Sequence, residues 1–176
     1  MKKILAIGAS NSSKSINKVF ASYISSKLKN TEVTVLDWSN LVLPLYNPDL
    51  EAEAGIPEKV TEFKTLINTS DGIVLSLAEH NGFQTAAFKN LWDWTSRIDQ
   101  KFWQEKPMFL AATSPGGRGG ASVLKATKDS FPYFGGNVIT DFSLPSFYDN
   151  FTNGTISNED LLKDLESKIS DFQNTL

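Results

Sequence analysis

The densest chemistry in the sequence lies in Gly8–Asn17, GASNSSKSIN, where Ser10, Ser12, Ser15 and Asn17 crowd into one short stretch. An apolar run, Ile4–Ile7, precedes it and an amphipathic one, Val19–Leu28, follows, so it reads as a strand-to-helix turn. Such a turn aims several backbone N–H groups and the positive end of a helix dipole at one spot, which is a seat for an anion. Ser and Asn are also ordinary helix caps, so taken alone the stretch divides evenly between a cap and a phosphate site. Two nucleotide fingerprints fail on it. Ser10 breaks G-x-G-x-x-G at its second glycine. The P-loop pattern meets Ser13 where its second glycine belongs, and a side chain there obstructs the tight curl around a phosphate. A P-loop nucleotide kinase is therefore a remote alternative. The remaining possibility is a mononucleotide whose phosphate is held by neutral hydroxyls and amides without a metal.

Two more turns are unusual. Ala78–Gly82 reads AEHNG and holds His80, the single histidine; Ser114–Gly120 reads SPGGRGG and sets Arg118 between glycine pairs. Glycines let the main chain approach a flat ring or a phosphate closely. Arg118 offers a planar cation to a phosphate or to a developing negative charge, with a solvated loop charge as the plain alternative. The absence of cysteine excludes disulfides, thiolate metal sites and a cysteine nucleophile, and one histidine excludes a multi-histidine metal centre. No paired carboxylates and no Ser/His/Asp set stand out. No metal and no catalytic side chain are expected, and a bound cofactor would carry the chemistry. The formal charge of −3 gives no general reason to bind nucleic acid or an anionic membrane, so phosphate binding must be local.

The elements that position these turns alternate. Strands are expected at Lys2–Ala9, Glu32–Asp37, Asp71–Leu77, Pro107–Thr113 and, shorter, Asn137–Thr140, the first and fourth of them buried and the third nearly continuous in apolar residues. Helices are expected at Asn17–Leu28, Pro57–Asn68, Thr85–Ile98 and Ala121–Phe134. A last helix opens at Ser157, with Asp160 three residues on as a weak capping box. Trp38–Gly55 is read as an irregular connection because of its prolines, and Glu79–Gln84 as a polar turn. Strand–helix alternation implies right-handed crossovers and a parallel sheet covered on both faces. The fold expected is thus α/β, a flavodoxin-like three-layer sandwich whose five-stranded parallel sheet has the order 2-1-3-4-5, in a single domain over residues 1–176. All three unusual turns then fall at the carboxyl edge of the sheet, where such folds bind FMN. The N-terminal apolar run is too short for a secretion signal, and no stretch approaches a membrane span; a cytoplasmic location is expected.

In that order the motifs resemble the NAD(P)H-dependent FMN reductase family, which includes quinone and azo-dye reductases. The family's phosphate loop reads G-S-x-R-x-x-S-x-N; Ser10, Ser15 and Asn17 match it, while Ala9 replaces the glycine and Ser12 the arginine. LPLYNPDLE (Leu43–Glu51), AEHNG against P-E-Y-N-G, FKNLWDW (Phe88–Trp94) against L-K-N-x-x-D-W, and SPGGRGG are similar to family segments over most of the chain.

The resemblance implies an FMN-dependent oxidoreductase with ping-pong hydride transfer from NAD(P)H to a flavin, quinone, azo or similar small-molecule acceptor. It also implies a homodimer or homotetramer built on the Phe88–Trp94 helix, each copy closing the other's flavin site. Ser10, Ser12, Ser15, Ile16 and Asn17 would surround the FMN phosphate, Ile16 through its backbone N–H. Loss of the family arginine at Ser12 would weaken that grip by about 1.5–3 kcal/mol, with Lys14 a possible compensation. Glu79, His80, Asn81 and Gly82, with Ser114, Pro115, Gly116 and Gly117, would hold the isoalloxazine. Tyr46 and Asn47 would border the substrate space, Phe147 and Tyr148 would cap it, and Arg118 would meet the dinucleotide's phosphates or the reduced flavin's charge. The alternative from a different class is a flavodoxin-like electron carrier that binds FMN without turning over NAD(P)H.

Overall fold

The structure, a computed structural model, describes residues 1–176, the side chain of Asn40 excepted. Strand β1 (Lys2–Ala9) leads into helix α1 (Ile16–Ser26), followed by β2 (Thr31–Val35), α2 (Pro48–Ala54), α3 (Glu58–Thr69) and β3 (Gly72–Leu77). A small hairpin of β4 (Glu79–His80) and β5 (Phe83–Gln84) precedes α4 (Ala86–Ile98), β6 (Pro107–Thr113), α5 (Ala121–Ser130) and β7 (Asn137–Leu144). The chain closes with α6 (Phe147–Asn150), a second hairpin of β8 (Phe151–Thr152) and β9 (Thr155–Ile156), and α7 (Glu159–Gln173). The main sheet is parallel throughout, in the order β2-β1-β3-β6-β7, which is the 2-1-3-4-5 order expected.

Strand alternation splits the core in two, because successive side chains leave a strand on opposite faces. Leu5, Ile7, Leu75 and Leu110 pack under α3, α4 and α5 with Phe63, Leu91, Trp92 and Val123. Ile4, Ala6, Val74 and Phe109 pack under α1 and α7 with Phe20, Ile24, Leu165 and Phe172. The central strand β3 is buried along its whole length. At the edge, β7 runs four residues beyond the expected Thr140. Its polar residues are accommodated there: Asp141 pairs with Lys128, and its carbonyl accepts from Lys168 at 2.8 Å.

Two expectations need correction. Trp38–Gly55 is not irregular throughout, since it contains a 3₁₀ turn, Trp38–Asn40, and the helix α2. Pro48 sits at the first helical position, where its missing N–H would have had no partner, and Asn47 caps the helix by accepting from the Leu50 amide at 2.8 Å. The last helix does not open at Ser157. Asn158 is its cap, accepting from Leu161 at 3.1 Å, while the Ser157 hydroxyl donates to the Asp149 carbonyl.

β1 and α1 meet closely at Gly8. A Cβ on Gly8 would lie 2.3 Å from the Lys18 amide nitrogen and 2.4 Å from its Cα, backbone against side chain with nothing flexible to give. Gly8→Ala is expected to cost about 3 kcal/mol or to displace the loop after β1; urea denaturation showing an unchanged midpoint would contradict this reading of the joint.

Candidate functional site

The turns after β1, β3 and β6 meet at the carboxyl edge of the sheet and enclose a cavity of about 230 Å³. Its wall is supplied by Ser10, Ser12, Lys14, Ser15, Ile16 and Asn17 from the first turn. Ala78, Glu79 and His80 come from the second, Thr113, Ser114 and Pro115 from the third, and Tyr148 from α6.

The first turn is built by its own hydroxyls. Ser10 Oγ accepts from the Ser12 amide at 3.2 Å, Ser12 Oγ from the Lys14 amide at 3.2 Å, and Ser15 Oγ from the Lys18 amide at 3.1 Å. Ser15 is therefore the N-cap of α1. In each case the oxygen is an acceptor, so each serine keeps its O–H as a donor with no protein acceptor among the described residues. The amides of Ile16 and Asn17, at the start of α1, likewise make no backbone hydrogen bond there. Cap and anion seat are not alternatives here: the capping bonds orient the donors that an anion would use.

Asn17 behaves differently from its neighbours. Its side chain is 2% exposed and points into the sheet. Oδ1 accepts from Ser76 Oγ at 2.7 Å and from the Thr113 amide at 3.2 Å, and Nδ2 donates to the Thr113 carbonyl at 3.1 Å. Only the Asn17 backbone N–H faces the turn as a free donor; the side chain fastens α1 to the ends of β3 and β6. Thr85 makes a second fastening by capping α4 while its Oγ1 donates to the Ala9 carbonyl at 3.0 Å. Trp38 Nε1 makes a third, donating to the Gly8 carbonyl at 2.6 Å.

The second turn is the β4–β5 hairpin. Asn81 and Gly82 both have positive φ, 54° and 86°, the backbone that a two-residue type I′ turn requires and that Asn-Gly supplies at little cost. The Glu79 carboxylate is committed, since Oε2 accepts from the Val123 amide at 3.0 Å in the first turn of α5. It acts as the cap that Gly120 lacks a side chain to provide. Gln84 Nε2 donates to Thr127 Oγ1 at 2.7 Å, so the hairpin is pinned to α5 at both strands.

In the third turn a Cβ on Gly119 would lie 2.5 Å from Ser143 Oγ and 2.8 Å from Leu144, so the segment lies directly on the end of β7. The carbonyls of Gly116 and Ser114 accept from the amides of Ser146 and Phe147, while the amides of Gly116 and Gly117 make no backbone hydrogen bond.

The remaining expected residues are distributed elsewhere. Asn81, Gly116 and Gly117 stand in the turns that form the cavity without lining it, and Gly82 and Arg118 line a separate groove beside it. Tyr46 and Asn47 are not brought to this cavity. Tyr46 packs edge-on against Trp94 and donates its hydroxyl to Glu51, and desolvation, then that bond to Glu51, pushes its phenol above its ordinary range. Asn47 is spent on capping α2. Phe147 is buried beneath, whereas Tyr148 is 66% exposed at the cavity rim. Residues that sequence reasoning passed over are Ser76, Thr113 and Thr85; each is a polar residue ending or interrupting an apolar strand, or a cap, and in the sequence each reads as nothing more. No group of carboxylates and histidines suited to a metal ion occurs among the described residues.

The donor set suits a flat cofactor with a phosphate tail. There are neutral O–H and N–H donors with one ammonium nearby, no carboxylate free to repel the anion in the first turn, and exposed main chain at the other two. Among known proteins, the family model described as NADPH-dependent FMN reductase matches residues 2–149. A quinone reductase of Pseudomonas putida is 38% identical over 92 residues, 52% of this chain and 49% of that protein. An NADPH azoreductase of Bacillus sp. (strain OY1-2) is 32% identical over 122 residues, 69% of this chain and 64% of the relative. The chain thus spans about half the length of the first relative and under two thirds of the second. The solved structure of FerB, a flavoenzyme NAD(P)H:acceptor oxidoreductase from Paracoccus denitrificans, superposes with a TM-score of 0.76 at 26% identity, covering 99% of this chain and 96% of that one.

Replacing Asn17 by Ala strands the Ser76 hydroxyl and the Thr113 amide in the interior, a loss of about 2–4 kcal/mol. Removing the Ser76 hydroxyl as well is expected to recover about 1 kcal/mol of it in a double-mutant cycle by chemical denaturation. Strict additivity of the two changes would mean that the buried bond carries no energy.

Proposed function

The chain belongs to the NADPH-dependent FMN reductase family, and we propose on that premise that it is an FMN-dependent NAD(P)H oxidoreductase. Its second substrate is a small planar acceptor of the quinone or azo kind. The observation that carries the reading is the first turn, where three serine hydroxyls and two helix-start amides are left as donors by the bonds that shape the loop. Bound FMN supplies the hydride relay between a reduced nicotinamide and the acceptor.

The chain's own part is binding and orientation. Ser10, Ser12 and Ser15 donate O–H bonds to the phosphate, joined by the Ile16 and Asn17 amides at the positive end of α1. Lys14, on the cavity wall, is the one cation of that turn. The main chain of the second and third turns would serve the ring end from beside the cavity, and the hairpin's tie to α5 holds two of the three turns in register. His80 and Tyr148 flank the opening, an aromatic surround suited to planar substrates. Val42 and Leu45, 86% and 79% exposed beside α4, support assembly as a homodimer through that side. Among the described residues no helix is long and apolar enough to cross a membrane.

The purified protein is expected to take up FMN, turn yellow and bleach on addition of NADPH without oxygen; a preparation that cannot bind FMN removes the reading. Ser15→Ala, which deletes a donor and a cap together, is expected to weaken FMN binding about tenfold in a fluorescence titration. Ser12→Arg, which restores the family's cation, is expected to tighten it by about tenfold or more. A Ser12→Arg protein that binds no better than the parent would show that the loop's geometry, not its missing charge, limits affinity.

A further inference from the structure

A second cavity, about 600 Å³, lies between the β4–β5 hairpin and α5. Its apolar wall is Phe83, 66% exposed, with Ala121 and Ala126. An aromatic ring left facing water beside the site marks a surface suited to another flat apolar body. The polar wall is a row along α5, with Arg118 just before the helix, then Ser122 and Lys125. Arg118 donates one guanidinium N–H to Ser122 Oγ at 2.6 Å, and its other N–H groups have no protein acceptor among the described residues. Ser122 Oγ accepts that bond and keeps its own O–H to donate. Lys125 is paired with Asp129 at 2.6 Å, a well-exposed pair that another anion can displace.

The groove is therefore apolar along one side and suited to an anion along the other, with two cations against one carboxylate. The hairpin connects it to the first cavity. His80, which lines the first, stands directly opposite Phe83, which lines the second. Residues so paired lie about 4.5–5.5 Å apart at Cβ, with side chains on the same face. That span is shorter than a pair of fused aromatic rings, so one small planar molecule can serve both places.

We propose that this groove selects the electron acceptor, and that the acceptor it selects is a planar arene with an anionic arm, a sulfonate or a carboxylate. The reducible ring is presented at the first cavity, the apolar body lies on Phe83, and Arg118, Ser122 and Lys125 hold the arm. The proposal rests on the reductase reading and narrows its planar acceptors to charged ones. During reduction the arm is a handle only. A quinone takes a hydride by way of the cofactor and a proton from solvent, and leaves as the hydroquinone with its arm unchanged. A guanidinium suits the arm because its planar fork donates two parallel bonds to paired oxygens. Asp129 limits the grip, because it competes with the arm for Lys125.

Calorimetric titration of the purified protein with 2-naphthalenesulfonate and with uncharged 2-naphthol tests the groove without turnover. The sulfonate is expected to bind about tenfold more tightly, and Arg118→Gln to remove most of that preference. Asp129→Asn is expected to act in the opposite direction, tightening the sulfonate about threefold and leaving the naphthol unchanged. A gain of that kind does not come from a damaged fold. Phe83→Ala is expected to weaken both ligands alike. In the FMN-loaded enzyme, the ratio of kcat/KM for 1,2-naphthoquinone-4-sulfonate to that for 1,2-naphthoquinone is expected to fall about tenfold in Arg118→Gln. Three results overturn the proposal: equal affinity of the parent for the two naphthalenes, a preference untouched by both charge variants, or sulfate alone binding as tightly as the naphthalenesulfonate. Should the preference and its dependence on Arg118 stand in a protein that takes up no FMN, the reductase reading falls and the groove's recognition of anionic arenes survives.

Discussion

The site depends on a buried amide. Among the described residues, Asn17 is the single side chain that bonds α1 to both β3 and β6, through Ser76 and the main chain of Thr113. Because those bonds are buried, losing one leaves a polar group without water or partner, which costs more than the bond itself is worth. The clamp therefore fixes where α1 begins, and with it the direction of the two free amides at its start. Gly8 works to the same end from the other side, since its missing side chain is what allows the helix to lie against β1 at all. Clamp and contact together leave the first turn no freedom to slide along the sheet edge.

On the proposed reading, that fixed geometry would let a loop of neutral donors serve at Ser12, where the resemblance led one to expect an arginine. An arginine can find a phosphate from several angles because its charge acts over distance; a hydroxyl must already point the right way. Here each serine oxygen is held by a backbone amide two or three residues ahead. The same logic runs through the second turn, where the Glu79 carboxylate, on the cavity wall, is engaged by the Val123 amide at the start of α5. A carboxylate that would repel an anion is thereby turned into scaffolding.

The layered fold and its strand order were legible because β1, β3 and β6 read as nearly continuous apolar runs and the helices carry regular apolar faces. What failed did so locally. Pro48 looked like a breaker in Trp38–Gly55, but a proline at the first helical position starts a helix as readily as it stops one. Ser157 and Asp160 had the spacing of a capping box, yet Asn158, one residue on, takes the role. At the site, the sequence marked the three turns and most of the residues at the cavity wall. It carried no sign that Asn17 faces inward or that the Glu79 carboxylate caps a helix forty-four positions away, because a side chain's direction is settled by partners distant in sequence. Tyr46 and Asn47 show the same limit, their polar atoms being drawn to Glu51 and to the start of α2.

The capping serines have one more consequence. A flexible loop that closes on its ligand must give up its freedom at the moment of binding, at about 0.5–1.5 kcal/mol for each side chain stilled. In this chain that entropy has already been surrendered to folding, since the hydroxyls that would meet an anion are tethered by bonds internal to the turn. On the proposed reading, little of that cost would remain to be met when a phosphate binds at this end of the sheet.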